Sequence, residues 1–212
     1  MSFNLSRKVK WAIALVLGST GAIIAFSLFQ RSVPKGAIPV SGGEAMEMIL
    51  PGIDAAYYAQ GDPEWGADKL GTTSDPLRNV GCTISSVAMA STALGYAISP
   101  GELNRRLIEN GGYTDRGWLI WGNIPAATGR AVEAVVYDQP TFGRIDAALK
   151  KGEFPIVKFF LVGGIPHWVM VVGKSGQEYL VHDPSSSVSG PARLSKRARG
   201  IYSLRVIRSL DS

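Results

Sequence analysis

The sequence predicts an α+β domain in which an N-terminal helical half packs on a C-terminal antiparallel sheet, preceded by one transmembrane helix. Three observations carry this reading. Residues 82–151 contain apolar residues at steps of three and four together with helix-capping residues, whereas residues 154–210 change to Val-, Ile-, Phe- and Tyr-rich segments broken by glycine. Ahead of both, Trp11 to Phe29 (WAIALVLGSTGAIIAFSLF) is an uncharged 19-residue run. As a helix it has about the length that crosses a hydrocarbon layer of ~30 Å.

Arg7, Lys8 and Lys10 precede the apolar run, and Arg31 and Lys35 follow more sparsely. This bias makes residues 1–10 a cytoplasmic N-terminus and places everything after the span outside the cytoplasm. Ser19, Thr20 and Gly21 offer a small-residue cleavage site, which would release a secreted protein, but the apolar run continues to Phe29. Residues 11–30 are therefore expected to form an uncleaved signal anchor in the cell membrane. Residues 31–47, rich in Pro, Gly and Ser, read as a linker, and residues 48–212 as the folded domain.

Within the domain, Cys82 opens CTISSVAMASTALGY, where Ile84, Val87, Ala88 and Leu94 mark a helical stripe that Gly95 stops. Ser99, Pro100 and Glu102 form a capping-box pattern at the head of a second helix, closed by Gly111 and Gly112. Residues 117–128 read as a third, short helix and Thr141 to Lys151 as a fourth, ended by Gly152. The segments FPIVKFFLV, HWVMVVGKSGQEYLVHD and GIYSLRVIRSL read as strands, with a turn at Lys174 to Gly176.

The net charge of +5 disappears from the body when it is divided along the chain. Five of the 22 Lys and Arg fall in residues 1–40, which hold no acid, leaving 17 beside 17 Asp and Glu. The excess belongs to membrane topology, and no nucleic-acid partner is expected. Arg193, Lys196, Arg197 and Arg199 lack interleaved aromatics and read as a solvated loop.

One Cys and two His leave little freedom in assigning chemistry. A single cysteine cannot form an intramolecular disulfide, and a thiol in an oxidising space is a liability unless it is buried or used. Cys82 at a helix N-terminus would have its thiolate favoured by the dipole. His167 begins one strand and Asp183 ends the next, each eight positions from Ser175, so a hairpin turning there brings them together. Alternation turns the neighbouring His182 to the other face. Cys82 as nucleophile, His167 as general base and acid, and Asp183 as its orienter meet the needs of acyl transfer. An oxyanion hole is available from the Cys82 backbone N–H and the Gln60 amide. No metal or other cofactor is expected, since no His-x-x-x-His or Cys-x-x-Cys spacing occurs.

The order of segments resembles the papain-like cysteine peptidase domain of the double-glycine leader peptidases of bacteriocin transporters, and especially its free-standing bacterial relatives. YYAQGDPEWG is similar to that family's Gln-x-Asp-x-x-Trp opening and GCTISSVAMA to its Gly-Cys helix. GIPHWVMVVG is similar to its Gly-x-x-His strand and YLVHDPSS to its strand ending in Asp-Pro. The resemblance spans about residues 55–208. It implies a papain-like fold and a cysteine peptidase acting on a peptide or protein substrate, and it lays the same roles on Cys82, His167, Asp183 and Gln60. The chain departs from the family at GCTISS, and the transporter's membrane domain and ATPase have no counterpart, so specificity for double-glycine leaders is not carried over. A non-catalytic peptide- or glycan-binding module on the same fold and a cell-wall amidase are the alternative functions.

Overall fold

The computed structural model describes residues 33–185 and 190–210. Among these no helix is long and apolar enough to cross a membrane, and the expected anchor at residues 11–30 lies outside them. The fold is α+β, as the sequence predicts. Five α-helices are described: α1 (Leu77–Val80), α2 (Cys82–Ala93), α3 (Pro100–Glu109), α4 (Ile124–Ala127) and α5 (Phe142–Lys150). Six strands form one sheet: β1 (Ser41–Ile49), β2 (Val132–Tyr137), β3 (Phe154–Phe160), β4 (Pro166–His182), β5 (Ala192–Arg193) and β6 (Ser203–Ser209). The antiparallel order is β1-β4-β3-β6-β2, with β5 added to β4.

The helices follow their caps. Ser99 Oγ accepts from the Glu102 N–H at 3.3 Å, and Pro100 occupies the first turn of α3. Only that half of the capping box forms, because the Glu102 carboxylate turns to Arg105 and Arg106. Thr141 Oγ1 caps α5 at the Arg144 N–H. The expected helix over 117–128 is reduced to a 3-10 turn at Trp121–Asn123 followed by the single turn of α4. In α2 the expected stripe gives way to burial of every residue from Ile84 to Ser91. Small residues, Ser85, Ser86, Ala88 and Ala90, let this helix lie closely against the sheet, and Ser86 Oγ donates to the Trp168 carbonyl of β4 at 3.3 Å.

Strand β4 is the element on which the site depends. A straight strand would set His167 and Asp183 about 50 Å apart at ~3.3 Å per residue, yet their side chains touch at 2.7 Å. The run therefore doubles back near the expected turn, where Gly176 has a φ of 58°. The strand pattern is unbroken there because β1 is laid against the turn, pairing Ile49 with Gly173 and Met46 with Gly176.

Residues 31–47, expected as a linker, are corrected by β1: from Ser41 the chain is strand, and Met46 and Met48 pack on the core. Its anchor is a buried ion pair. Lys174 Nζ donates to Asp146 Oδ1 at 2.8 Å and to the Gly42 carbonyl at 2.8 Å, while Tyr179 Oη donates to Asp146 Oδ1 and the Glu44 N–H to Oδ2. Strand β2 was likewise not expected in the helical half; it pairs with β6 from Val132↔Ser209 to Tyr137↔Leu204.

Candidate active site

Gly81 separates α1 from α2 and fixes where Cys82 stands. A Cβ on Gly81 would lie 2.6 Å from the Leu77 carbonyl oxygen, so glycine is required for the chain to pass from one helix into the next. Cys82 is the first residue of α2 and is 7% exposed, at the wall of a cleft of about 690 Å³. Gln60, Thr83, His167, Trp168 and Ser185 share that cleft.

All four sequence-predicted site residues are brought to this one place. His167 is 4% exposed and Asp183 2%, and His167 Nε2 donates to Asp183 Oδ1 at 2.7 Å. With Nε2 committed to Asp183, Nδ1 is the ring nitrogen left uncommitted, and Cys82 lies near enough to favour the charged imidazole. His182 faces away from His167, as alternation requires, and sets its ring at 83° against Tyr57.

Burial disfavours a charge on His167, but the hydrogen bonds and charges of Asp183 and Cys82 prevail and raise it to about 9. Burial also opposes charge on Asp183, yet the His167 hydrogen bond and charge, with the Ser185 contacts, hold its carboxyl well below the usual range. The two partners agree in direction: the contact is an ion pair over a broad pH range. His182 is lowered by burial, only partly offset by Asp54.

Sequence reasoning missed the shell that holds Asp183. The Ser185 backbone N–H and Oγ both donate to Oδ1, at 2.9 and 2.8 Å, closing an Asx turn over Pro184. Arg197 Nε donates to Oδ2 at 2.8 Å and its Nη2 to Ser185 Oγ at 3.0 Å. Arg197 is thus corrected from a solvated-loop residue to a partner of Asp183, because η3, the 3-10 turn at Leu194–Lys196, returns the chain to β4. The Asp-Pro-Ser sequence was the available signal for Ser185; nothing in the local pattern marks Arg197.

Gln60 is 8% exposed and anchored from two sides. Its backbone N–H donates to the Pro184 carbonyl at 2.9 Å and its Nε2 to the Arg78 carbonyl at 2.8 Å. The Arg78 acceptor fixes which end of the amide is nitrogen, and the second Nε2 hydrogen remains for a ligand. Among the described residues no cluster of three or more His, Cys, Asp or Glu is arranged to hold a metal.

The described residues thus define an α+β domain in which Cys82, at the head of α2, and His167, paired with Asp183 on the doubled strand, line one cleft. No protein-family model and no curated protein matches the chain. Among solved structures it is similar to a candidate C39-like peptidase from Bacillus anthracis, at 11% identity and a TM-score of 0.49, over 77% of this chain and 100% of that one.

Proposed function

We propose that the chain is a membrane-tethered, extracytoplasmic thiol hydrolase that cleaves a peptide or related amide bond through Cys82, His167 and Asp183. The observation that supports it is the buried His167–Asp183 pair, whose imidazole lines the same cleft as the chain's single cysteine. The tether rests on the apolar run Trp11 to Phe29 and the basic residues before it.

In this reading the Cys82 thiolate attacks the substrate carbonyl carbon and the oxygen becomes an oxyanion, received by the Cys82 backbone N–H and the free Nε2 hydrogen of Gln60. His167 gives its proton to the departing amine, the C–N bond breaks, and a thioester to Cys82 remains. Water then loses a proton to His167 and attacks the thioester, and the acid product leaves as the thiolate and imidazolium are restored. Asp183 keeps Nε2 occupied so that Nδ1 faces the reacting atoms, while Ser185 and Arg197 hold Asp183 in place. Both are positioning residues.

The test is replacement of Cys82 by Ala. Turnover of a peptide library and labelling by iodoacetamide should both vanish, and activity that survives the substitution ends the proposal.

A further inference from the structure

The cleft contains a cation that the chemistry above does not use. Lys158 of β3 pairs with Trp168, one step along the ladder from the Phe159↔His167 pair. Strand alternation puts His167 and Trp168 on opposite sides of β4, and both line the same cleft, so the cleft crosses the start of this strand. Lys158 and Trp168 therefore line it on the side away from His167.

Lys158 Nζ sits 5.6 Å from the Phe160 ring centroid and 5.8 Å from that of Trp168. Among the described residues it has no carboxylate within ion-pair distance. Arg205 lies beneath, stacked on Trp121 and Trp168 at 5.4 and 5.6 Å, but its Nη1 is taken by the Leu204 and Tyr137 carbonyls. Arg205 does not line the cleft, so the Lys158 ammonium, held over the two rings, is the half-buried cation its wall offers a ligand beside the exposed Arg116. The other charged side chains lining the cleft besides His167 are Arg116 and Asp75, so cations outnumber acids there. Burial, with the Arg205 charge, pushes Lys158 below the usual lysine range, a cost that an incoming anion would relieve.

We propose that the cleft selects substrates carrying a carboxylate, which docks on Lys158 between the Phe160 and Trp168 rings. This rests on the thiol hydrolase reading for its substrate, a peptide, but it concerns binding and not bond cleavage. The carboxylate belongs either to an Asp or Glu side chain or to a free peptide C-terminus.

The experiment measures equilibrium binding, by tryptophan fluorescence, to the full chain carrying Cys82→Ala. The probes are pentapeptide pools with Glu or Gln at one position in turn, each ending in a carboxylate or an amide. The carboxylate form should bind about tenfold tighter or more, as expected for a hydrogen bond to a charged group. A Glu-over-Gln difference assigns the side chain, and a carboxylate-over-amide difference assigns the terminus. Lys158→Met should erase the preference and Lys158→Arg keep it, with Lys158→Gln as a second neutral variant should the Met form not fold. Equal binding of all pools, no binding of any, or a preference that survives loss of the charge overturns the inference. Alkylation of Cys82 by iodoacetamide in the otherwise unaltered chain reads the hydrolase proposal separately. An inert thiol with an intact carboxylate preference would sink that proposal and leave the Lys158 subsite standing.

Discussion

His167 Nε2 and Asp183 Oδ1 lie 2.7 Å apart although they are sixteen positions apart in sequence, and this contact leaves Nδ1 as the uncommitted nitrogen of the imidazole. Replacing Asp183 by Ala leaves burial as the main influence on His167. With only Cys82 left to oppose burial, its ionisation should fall below about 9. The alkaline limb of the pH–rate profile should move down with it, and kcat/KM at pH 8 should drop about tenfold or more. An unmoved limb would show that Asp183 does not control His167.

The same pair makes stability depend on pH. His167 is raised above its unfolded value of 6.5, so its contribution is complete below 6.5 and is lost as pH climbs through about 9. Asp183 is depressed, so its contribution is complete above 3.8 and is lost as pH falls below that. The melting temperature should therefore be flat between about pH 4 and 6.5 and decline on both sides. The alkaline decline should be weaker in Asp183→Ala.

Gln60→Ala removes a proposed oxyanion donor without touching the thiol or the imidazole. Steady-state kinetics should show kcat falling by about 10²–10³, as for other oxyanion donors, with iodoacetamide labelling of Cys82 nearly unchanged. Equal losses in both would mean that Gln60 supports the site only structurally.

Far from the cleft, the Lys174–Asp146 pair clamps β1 to β4 and α5, with the Lys174 side chain fully buried. Lys174→Met leaves the Asp146 carboxylate without its cation and should cost about 3–5 kcal/mol in denaturant unfolding. Adding Asp146→Leu should recover much of that loss. Cys82 labelling should persist in the double variant wherever the chain remains folded.

The site was legible because chemistry was scarce. One cysteine and two histidines left few assignments, and turn arithmetic around Ser175 separated Asp183 from His182 without knowledge of the sheet. β1 was not legible, because its glycines imitate a linker. In the fold they permit close approach: a Cβ on Gly42 would sit 2.5 Å from the Phe142 ring, and one on Gly43 2.3 Å from the Asp146 carboxylate. Flexibility and tight contact demand the same residue, so composition cannot tell them apart. Arg197 was hidden for a different reason. Its partner lies fourteen residues away across a 3-10 turn, and no local periodicity records a tertiary ion pair.

The central claim is that His167 activates Cys82. The most direct measurement is the rate of Cys82 alkylation by iodoacetamide from pH 5 to 10, in the unaltered chain and in His167→Ala. Alkylation of the unaltered chain should be about tenfold or more faster than that of His167→Ala below pH 9, and its rate should change near 9 as His167 loses its proton. Identical profiles for the two chains, each rising only through the ~8.5 of an ordinary thiol, would contradict it.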